Sequence, residues 1–139
     1  MNFLLDTCVL SEMIKPSPNR GVIRWVEKQN PEILAVSAIT IGEIQRGISR
    51  LPDSRKKTEL THWLENDLFA WFAGKILPMD ETIARAWGML QAASESQGKT
   101  LPVLDALIAA TAGVHHLILV TRNEKDFSLA GIPTLNPWD

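Results

Sequence analysis

Asp105 is the residue whose surroundings point most clearly to chemistry. It interrupts an apolar run, residues 101–110, that contains no other charged side chain. Burying an ionised carboxylate without a partner costs on the order of several kcal/mol, so Asp105 needs a cation or another polar partner. The alternative is that Asp105 lies in the first turn of a helix and only complements the helix dipole, which contributes about 0.3–1 kcal/mol.

Three further acids and one amide lie near the ends of predicted strands. Asp6 directly follows the first strand, Glu43 lies in the helix after the second, and Asn123 and Asp126 follow the fourth. Because ligands bind beyond the carboxyl ends of parallel strands, we expect these side chains to meet Asp105 there. Carboxylates that close repel one another unless a cation neutralises them, and oxygen ligands favour Mg²⁺ or Mn²⁺ over zinc. The sequence therefore predicts a metal site at one edge of a sheet.

Each of these residues also has a local alternative. Asp6 is placed to cap the helix that follows it, and Asp126 is placed to cap a short turn before Phe127. Glu43, taken alone, fits the solvent-facing side of its helix. The basic run between Arg46 and Lys57 fits either a solvated surface or a patch that contacts phosphates.

The elements that must position these side chains alternate along the chain. Short apolar runs predict strands at 3–5, 33–36, 76–77, 117–120 and 132–135, with Pro133 confining the last to an edge. Strands that alternate with helices predict a three-layer α/β/α domain with a central parallel sheet of four to five strands. The length of 139 residues suits a single domain spanning residues 1–139.

Capping residues and prolines mark the predicted helix starts. They are Ser17 followed by Pro18, then Ser37, Ser54, Asp80 and Pro102. Gly113 is predicted to end the helix that contains Asp105. The helix opened by Ser54 carries an apolar stripe, which is either core or a surface that a partner covers. The stripe consists of Trp63, Leu64, Leu68, Trp71 and Phe72.

Composition and charge exclude several classes of protein. The apolar fraction of 45% and the charged fraction of 22% are typical of a globular chain, and no apolar run is long enough to span a membrane. The first residues lack a basic leader, so a cytoplasmic location is expected. Cys8, the single cysteine, excludes an intrachain disulfide. The net charge of −2 does not exclude a nucleic-acid partner, because without the four clustered carboxylates the remaining charge is +2.

Four motifs together resemble a known family. They are Leu4-Leu5-Asp6-Thr7, Ser37-X5-Glu43, Leu104-Asp105-Ala106-Leu107-Ile108-Ala109-Ala110 and Thr121-Arg122-Asn123-X2-Asp126-Phe127. In this order and approximate spacing they resemble the PIN-domain ribonucleases and, more closely, the VapC/FitB toxins of bacterial type II toxin–antitoxin modules. The resemblance spans Leu4 to about Leu135 and implies a PIN-like fold.

The resemblance also implies roles for individual residues. Asp6, Glu43 and Asp105 correspond to an acidic triad that holds a catalytic Mg²⁺, with Mn²⁺ as an alternative. Asn123 stands where the family often has aspartate and Asp126 follows one turn later, so the fourth ligand stays open between them. We therefore expect Asp6, Glu43, Asp105 and Asp126 to be catalytic and all five residues to be candidate metal ligands.

Three neighbouring positions are implied in the same way. Thr7 and Thr121 resemble residues that line the family's pocket. Arg122 lies beside it, either as a phosphate contact or as an ordinary surface arginine.

The activity implied by the resemblance is hydrolysis of RNA phosphodiester bonds by a water molecule that the metal activates, leaving 5′-phosphate and 3′-hydroxyl ends. It also implies inhibition by a cognate antitoxin, a homodimer and a toxin–antitoxin hetero-oligomer. No protein nucleophile stands out, since Cys8 fits a small core residue and the three histidines lack metal-ligand spacing. The histidines are His62, His115 and His116.

Two alternative functions remain at the level of sequence. Asn123 is compatible with a PIN-like binding module that does not cleave RNA. Another Mg²⁺-dependent α/β protein, such as a haloacid-dehalogenase-like phosphatase or a receiver domain, is less favoured. The phosphatase needs an aspartate at position 8, where the chain has Cys8.

Overall fold

The centre of the molecule is a five-stranded parallel sheet in the order β3-β2-β1-β4-β5, as described over residues 1–139 by a computed structural model. The strands are β1 (Phe3–Leu5), β2 (Leu34–Ser37), β3 (Ile76–Leu77), β4 (Ile118–Val120) and β5 (Thr134–Leu135). The chain builds β1 to β3 toward one edge and then crosses to β4 and β5 on the other. The strand order therefore reverses between β1 and β4, which is where α/β sheets form ligand sites.

Seven helices connect the strands. They are α1 (Thr7–Met13), α2 (Arg20–Lys28), α3 (Ala38–Ser49), α4 (Arg55–His62), α5 (Phe69–Trp71), α6 (Glu81–Ser96) and α7 (Val103–Val114). A π-helical segment, Trp63–Leu68, joins α4 to α5, and 3₁₀ turns cover Pro31–Ile33 and Glu124–Ala130. None of these helices is long and apolar enough to cross a membrane.

The two faces of the sheet have separate apolar cores because successive strand residues point to opposite sides. Leu5 and Val120 pack on one face with side chains from α1, α2, α3 and the π-helical segment. Leu4 and Leu119 pack on the other face with Ile108 of α7. Helices thus cover both faces, and the predicted three-layer α/β/α arrangement with a parallel sheet is confirmed.

Most of the predicted helix caps are observed. Ser37 accepts a hydrogen bond from Ile39 N, Ser54 from Lys57 N, and Asp80 from Ile83 N. Such a bond satisfies one of the free N–H groups in the first helical turn. Because these three residues precede α3, α4 and α6 directly, the local sequence sets where those helices begin.

Two predicted helix boundaries are wrong. Asn19, not Ser17, caps α2, since its side chain accepts from Val22 N at 3.2 Å. The helix α7 also does not end at Gly113 but continues to Val114, and the left-handed turn that follows is made by His116 at φ 55°. Gly113 stays helical because nothing requires a positive φ at its position.

The apolar stripe is divided between core and surface. Leu64, Leu68 and Phe72 are buried in the core, whereas Trp71 is 51% exposed. Trp63 is half-buried. The π-helical segment adds a residue to the turn and shifts the face that the following residues present. The stripe is therefore mainly core, as one of its two interpretations predicted, with Trp71 left at the surface.

Candidate active site

Asp6 lies where the strand order reverses, directly after β1 and beside the end of β4. Its backbone N–H donates to Val120 O at 2.9 Å. Its side chain accepts from Thr7 N and from the Thr121 hydroxyl, each at 2.8 Å. The carboxylate therefore caps α1 and at the same time is fixed to the residue that follows β4.

Burial governs the acidity of Asp6 and its neighbour Cys8. Burial raises the pKa of Asp6, and hydrogen bonds from Thr121, Thr7 and Cys8 partly oppose the rise. The Cys8 thiol lies 3.6 Å from Asp6 Oδ2. Burial, followed by the charge of Asp6, raises the pKa of Cys8 to about 11. Because the thiolate is the nucleophilic form, a thiol with this pKa is a poor nucleophile at neutral pH.

Glu43 is held against α1 by a second hydroxyl. The Thr7 hydroxyl donates to Glu43 Oε1 at 2.7 Å and lies 3.1 Å from the Thr40 hydroxyl. Thr40 is fully buried and stands three residues before Glu43, so the two share one face of α3. The solvent-facing alternative for Glu43 is therefore wrong. Sequence reasoning missed Thr40, although its spacing from Glu43 was a usable signal.

Asp105 is half-buried in the first turn of α7 and lies within range of the charges of the other acids. Burial raises its pKa to about 6, with further contributions from the charges of Asp6, Glu43 and Asp126. No hydrogen bond offsets this rise. A helix-dipole role alone would lower the pKa, so the raised value reflects burial of the carboxylate first and the nearby negative charges second.

Asn123 and Asp126 complete the edge of the site on the loop after β4. Asn123 N donates to the Thr121 hydroxyl at 3.1 Å, and Asp126 N donates to Asn123 O at 2.9 Å. Both side chains are exposed and line a polar groove with Arg122 and Asn136. Asp126 thus approaches Asp105 from the open side, whereas Asp6 approaches from the buried side.

The donor set fits a hard divalent cation. It consists of carboxylate and amide oxygens, without a histidine or thiolate in the ligand set, which is the ligand chemistry of Mg²⁺ and Mn²⁺. As the side chains stand, no three His, Cys, Asp or Glu residues form a closed metal-ligating cluster. Like charges keep such groups apart when nothing neutralises them. Asp105 accepts no hydrogen bond, so no protein contact fixes its carboxylate.

Other predicted positions lie outside this group. His115 and His116 follow the far end of α7 from Asp105, and His62 is exposed at the end of α4. The basic run is partly neutralised, because Arg55 pairs with Glu59 and Lys57 with Asp53. Arg46 and Arg50 are exposed on α3 and its C-terminal cap.

Comparison with known proteins places this arrangement in context. Residues 3–132 match the PIN domain family. The chain is 36% identical over 136 residues to VapC ribonuclease Y4jK of Sinorhizobium fredii, covering 98% of this chain and 97% of that protein. It is 38% identical over 135 residues to toxin FitB of Neisseria gonorrhoeae, covering 97% of each. A solved structure of FitAB bound to an IR36 DNA fragment superimposes with a TM-score of 0.93 at 36% identity, covering 99% of this chain and 96% of that one.

Proposed function

Because the chain belongs to the PIN domain family, we propose that it is a Mg²⁺-dependent endoribonuclease toxin, with Mn²⁺ as an alternative ion, that a cognate antitoxin inhibits. The observation that carries the proposal is the environment of Asp105. Burial raises the pKa of its carboxyl, and Asp6, Glu43 and Asp126 lie near enough for their charges to raise it further. A divalent cation would relieve that repulsion.

The residues divide into those that are already fixed and those that complete the site. Thr121 and Thr7 N hold Asp6, and the Thr7 hydroxyl holds Glu43. Asp105 and the loop residues Asn123 and Asp126 approach from two other elements. When bound among them, Mg²⁺ would activate a water molecule and stabilise negative charge on the phosphoryl oxygens.

The reaction needs no covalent intermediate with the protein. Water attacks phosphorus, the bond from phosphorus to the 3′ oxygen breaks, and the 3′ oxygen leaves with a proton. The products carry 5′-phosphate and 3′-hydroxyl ends. The high pKa of Cys8 is consistent with this route, because a protonated thiol does not compete with water as the nucleophile.

The partners follow from the relatives. The protein from Neisseria gonorrhoeae is named a toxin, and a chain of the FitAB complex bound to DNA has the same fold. We propose that this chain likewise forms a complex with a cognate antitoxin and a homodimer within it. An RNA substrate implies that the protein acts in the cytoplasm. We also propose that residues 1–139 form one PIN-like domain.

RNA cleavage by matched variants tests the proposal. Asp6→Asn and Asp105→Asn remove one ligand charge each while keeping the side-chain shape, so we expect both to abolish Mg²⁺-dependent cleavage while the fold is retained. Asp53→Asn is the control, since Asp53 is fully exposed and lies outside the carboxylate group. Full activity in both Asp6→Asn and Asp105→Asn would reject the proposed metal site.

A binding module that does not cleave RNA is the second candidate, favoured by the amide at Asn123. The two candidates differ in metal affinity, which calorimetry with Mg²⁺ and Mn²⁺ measures directly. An enzyme binds the ion, and an inactive module does not. Membership of the PIN domain family removes the phosphatase and receiver-domain alternatives.

A further inference from the structure

Arg122 lies over an aromatic ring at the rim of the carboxylate site. Its guanidinium carbon lies 5.7 Å from the centre of the Trp138 ring. Arg122 follows Thr121, the residue whose hydroxyl donates to Asp6, and it lines the same polar groove as Asp126. The guanidinium of Arg122 thus contacts the Trp138 ring, and Arg122 lies within a few residues of the proposed metal ligands Asn123 and Asp126.

This arginine has no acidic partner, although acids lie near it. The ion pairs of the chain involve Lys15, Arg24, Arg55 and Lys57 only. Glu124, two residues along the loop, accepts from the Thr134 hydroxyl at 2.7 Å instead. A contact with the ring does not consume the N–H donors of the guanidinium, whose fork geometry matches phosphate.

Trp138 is itself held in place from two sides. It is half-buried and packs against the apolar core that contains Leu5 and Val120, and its backbone N donates to Asn136 Oδ1 at 2.9 Å. The next residue, Asp139, pairs with Arg24 of α2 at 2.7 Å. At Gly21 of α2 an added Cβ would lie 2.5 Å from Pro137 O, so the segment 136–139 is seated closely on that helix.

We propose that Arg122 binds a backbone phosphate of the RNA next to the scissile bond, and that Trp138 is a positioning residue that holds the guanidinium there. This inference rests on the proposed ribonuclease function. A cation at this point offsets the repulsion that four carboxylates exert on an approaching phosphate. The fixed ring reduces the rotamer entropy that Arg122 loses when it binds.

Salt dependence of RNA binding tests the phosphate contact. All binding measurements use proteins that also carry Asp105→Asn, so that the RNA is not cleaved. The RNA is a single strand that the wild type cleaves. Arg122→Gln should weaken binding about tenfold and make the slope of log K against log salt shallower by about 0.7, the value for one phosphate contact on a single strand. Arg85→Gln, which changes an exposed arginine of α6, should leave the slope unchanged. An unchanged slope in Arg122→Gln overturns the inference.

Variants of Trp138 test the positioning role. Trp138→Phe retains an aromatic face and should keep the wild-type KM, whereas Trp138→Leu should raise KM about as much as Arg122→Gln does. Because the ring acts through Arg122, adding Trp138→Leu to Arg122→Gln should have no further effect. Additive effects, or a Phe variant as impaired as the Leu variant, contradict the positioning role. If Trp138→Leu does not fold, the comparison of Trp138→Phe with the wild type carries the test.

RNAs in which one phosphate is replaced by an uncharged methylphosphonate show which phosphate Arg122 contacts. A single methylphosphonate beside the mapped scissile bond should weaken RNA binding by the protein that retains Arg122. It should not change RNA binding by the Arg122→Gln variant. Equal weakening of both contradicts the assignment. Failure here is distinct from failure of the proposed function, since the wild-type enzyme must first cleave the unmodified RNA.

Discussion

The Thr121 hydroxyl donates a 2.8 Å hydrogen bond to Asp6 Oδ2 across 115 positions of sequence. Residue 121 follows β4 and residue 6 follows β1, and these strands are neighbours in the sheet. The same hydroxyl accepts from Asn123 N at 3.1 Å. One side chain therefore links the most buried acid of the site to the loop that brings Asn123 and Asp126.

We expect this link to be required for activity. Thr121→Val has nearly the same shape but lacks the donor, so Asp6 would lose its orienting partner. Loss of such a supporting hydrogen bond typically costs about 10–100-fold in metal affinity or activity. Thr121→Ser keeps the hydroxyl and should stay close to the wild type. Equal Mg²⁺ affinity in the Val and Ser variants would show that the hydroxyl does not orient Asp6.

Metal affinity should fall as the pH falls through about 6. The pKa of Asp105 is raised to about 6, chiefly by burial, so below that pH a proton occupies the oxygen that would bind the ion. Calorimetry with Mg²⁺ in two buffers of different ionisation enthalpy measures the protons released. We expect release near pH 6 from the wild type and less from Asp105→Asn. No difference between the two would assign the released proton elsewhere.

The stability of the metal-free protein, unlike its metal affinity, should increase as the pH falls. Since the pKa of Asp105 is higher in the folded state than its ordinary value of 3.8, the folded state binds more protons and stability decreases as the pH rises from about 4 to 6. Asp105→Asn removes the buried charge and its repulsion by the other acids, and should raise the free energy of unfolding at pH 7 by about 1 kcal/mol, a value reduced for partial solvent exposure.

Urea unfolding at pH 7 and pH 4 checks that expectation. The gain should be much smaller at pH 4, where Asp105 is protonated in the folded state and about half protonated in the unfolded state. Asp53→Asn should be neutral at both, because Asp53 is fully exposed. A destabilised Asp105→Asn at pH 7 without metal would show that the carboxylate makes a favourable contact instead.

Asn123→Asp should strengthen metal binding. It adds a fifth carboxylate at the groove that Asp126 lines, and affinity for hard cations rises with the number of charged oxygen ligands. We expect an increase of about tenfold in Mn²⁺ affinity and a higher pKa for Asp105. Titration calorimetry gives the first and ¹³C NMR of the Asp105 carboxyl the second. An unchanged affinity would place Asn123 outside the ligand set.

Local sequence predicted the architecture well because each strand is a short apolar run flanked by a residue with a clear role. Asp6 and Ser37 end their strands and cap the helices that follow, so strand and helix boundaries are fixed by the same side chains. The cap of α2 was missed because Pro18 fits both a helix start and the extended segment before one. The π-helical segment was missed because its apolar residues fit the ordinary helical spacing, which gives no sign of the extra residue in the turn.

The site was predictable in its residue types but not in its contacts. The sequence alone indicated Asp105 as a site residue, since an acid in an apolar helix requires a partner. The contact of Thr7 with Glu43 spans 36 positions and depends on how α1 packs against α3, which no local pattern encodes. The contact of Arg122 with Trp138 likewise arises only when the segment 136–139 packs on α2.

The position of a bound ion tests the central claim most directly. Anomalous diffraction from crystals soaked in Mn²⁺ locates the metal without assumptions about the mechanism. We predict one strong peak about 2.1 Å from carboxylate oxygens of both Asp6 and Asp105, with Glu43 or the loop of Asn123 and Asp126 completing the shell. A peak that contacts only one of the two aspartates, or no peak at saturating Mn²⁺, would contradict the claim that these dispersed carboxylates form one metal site.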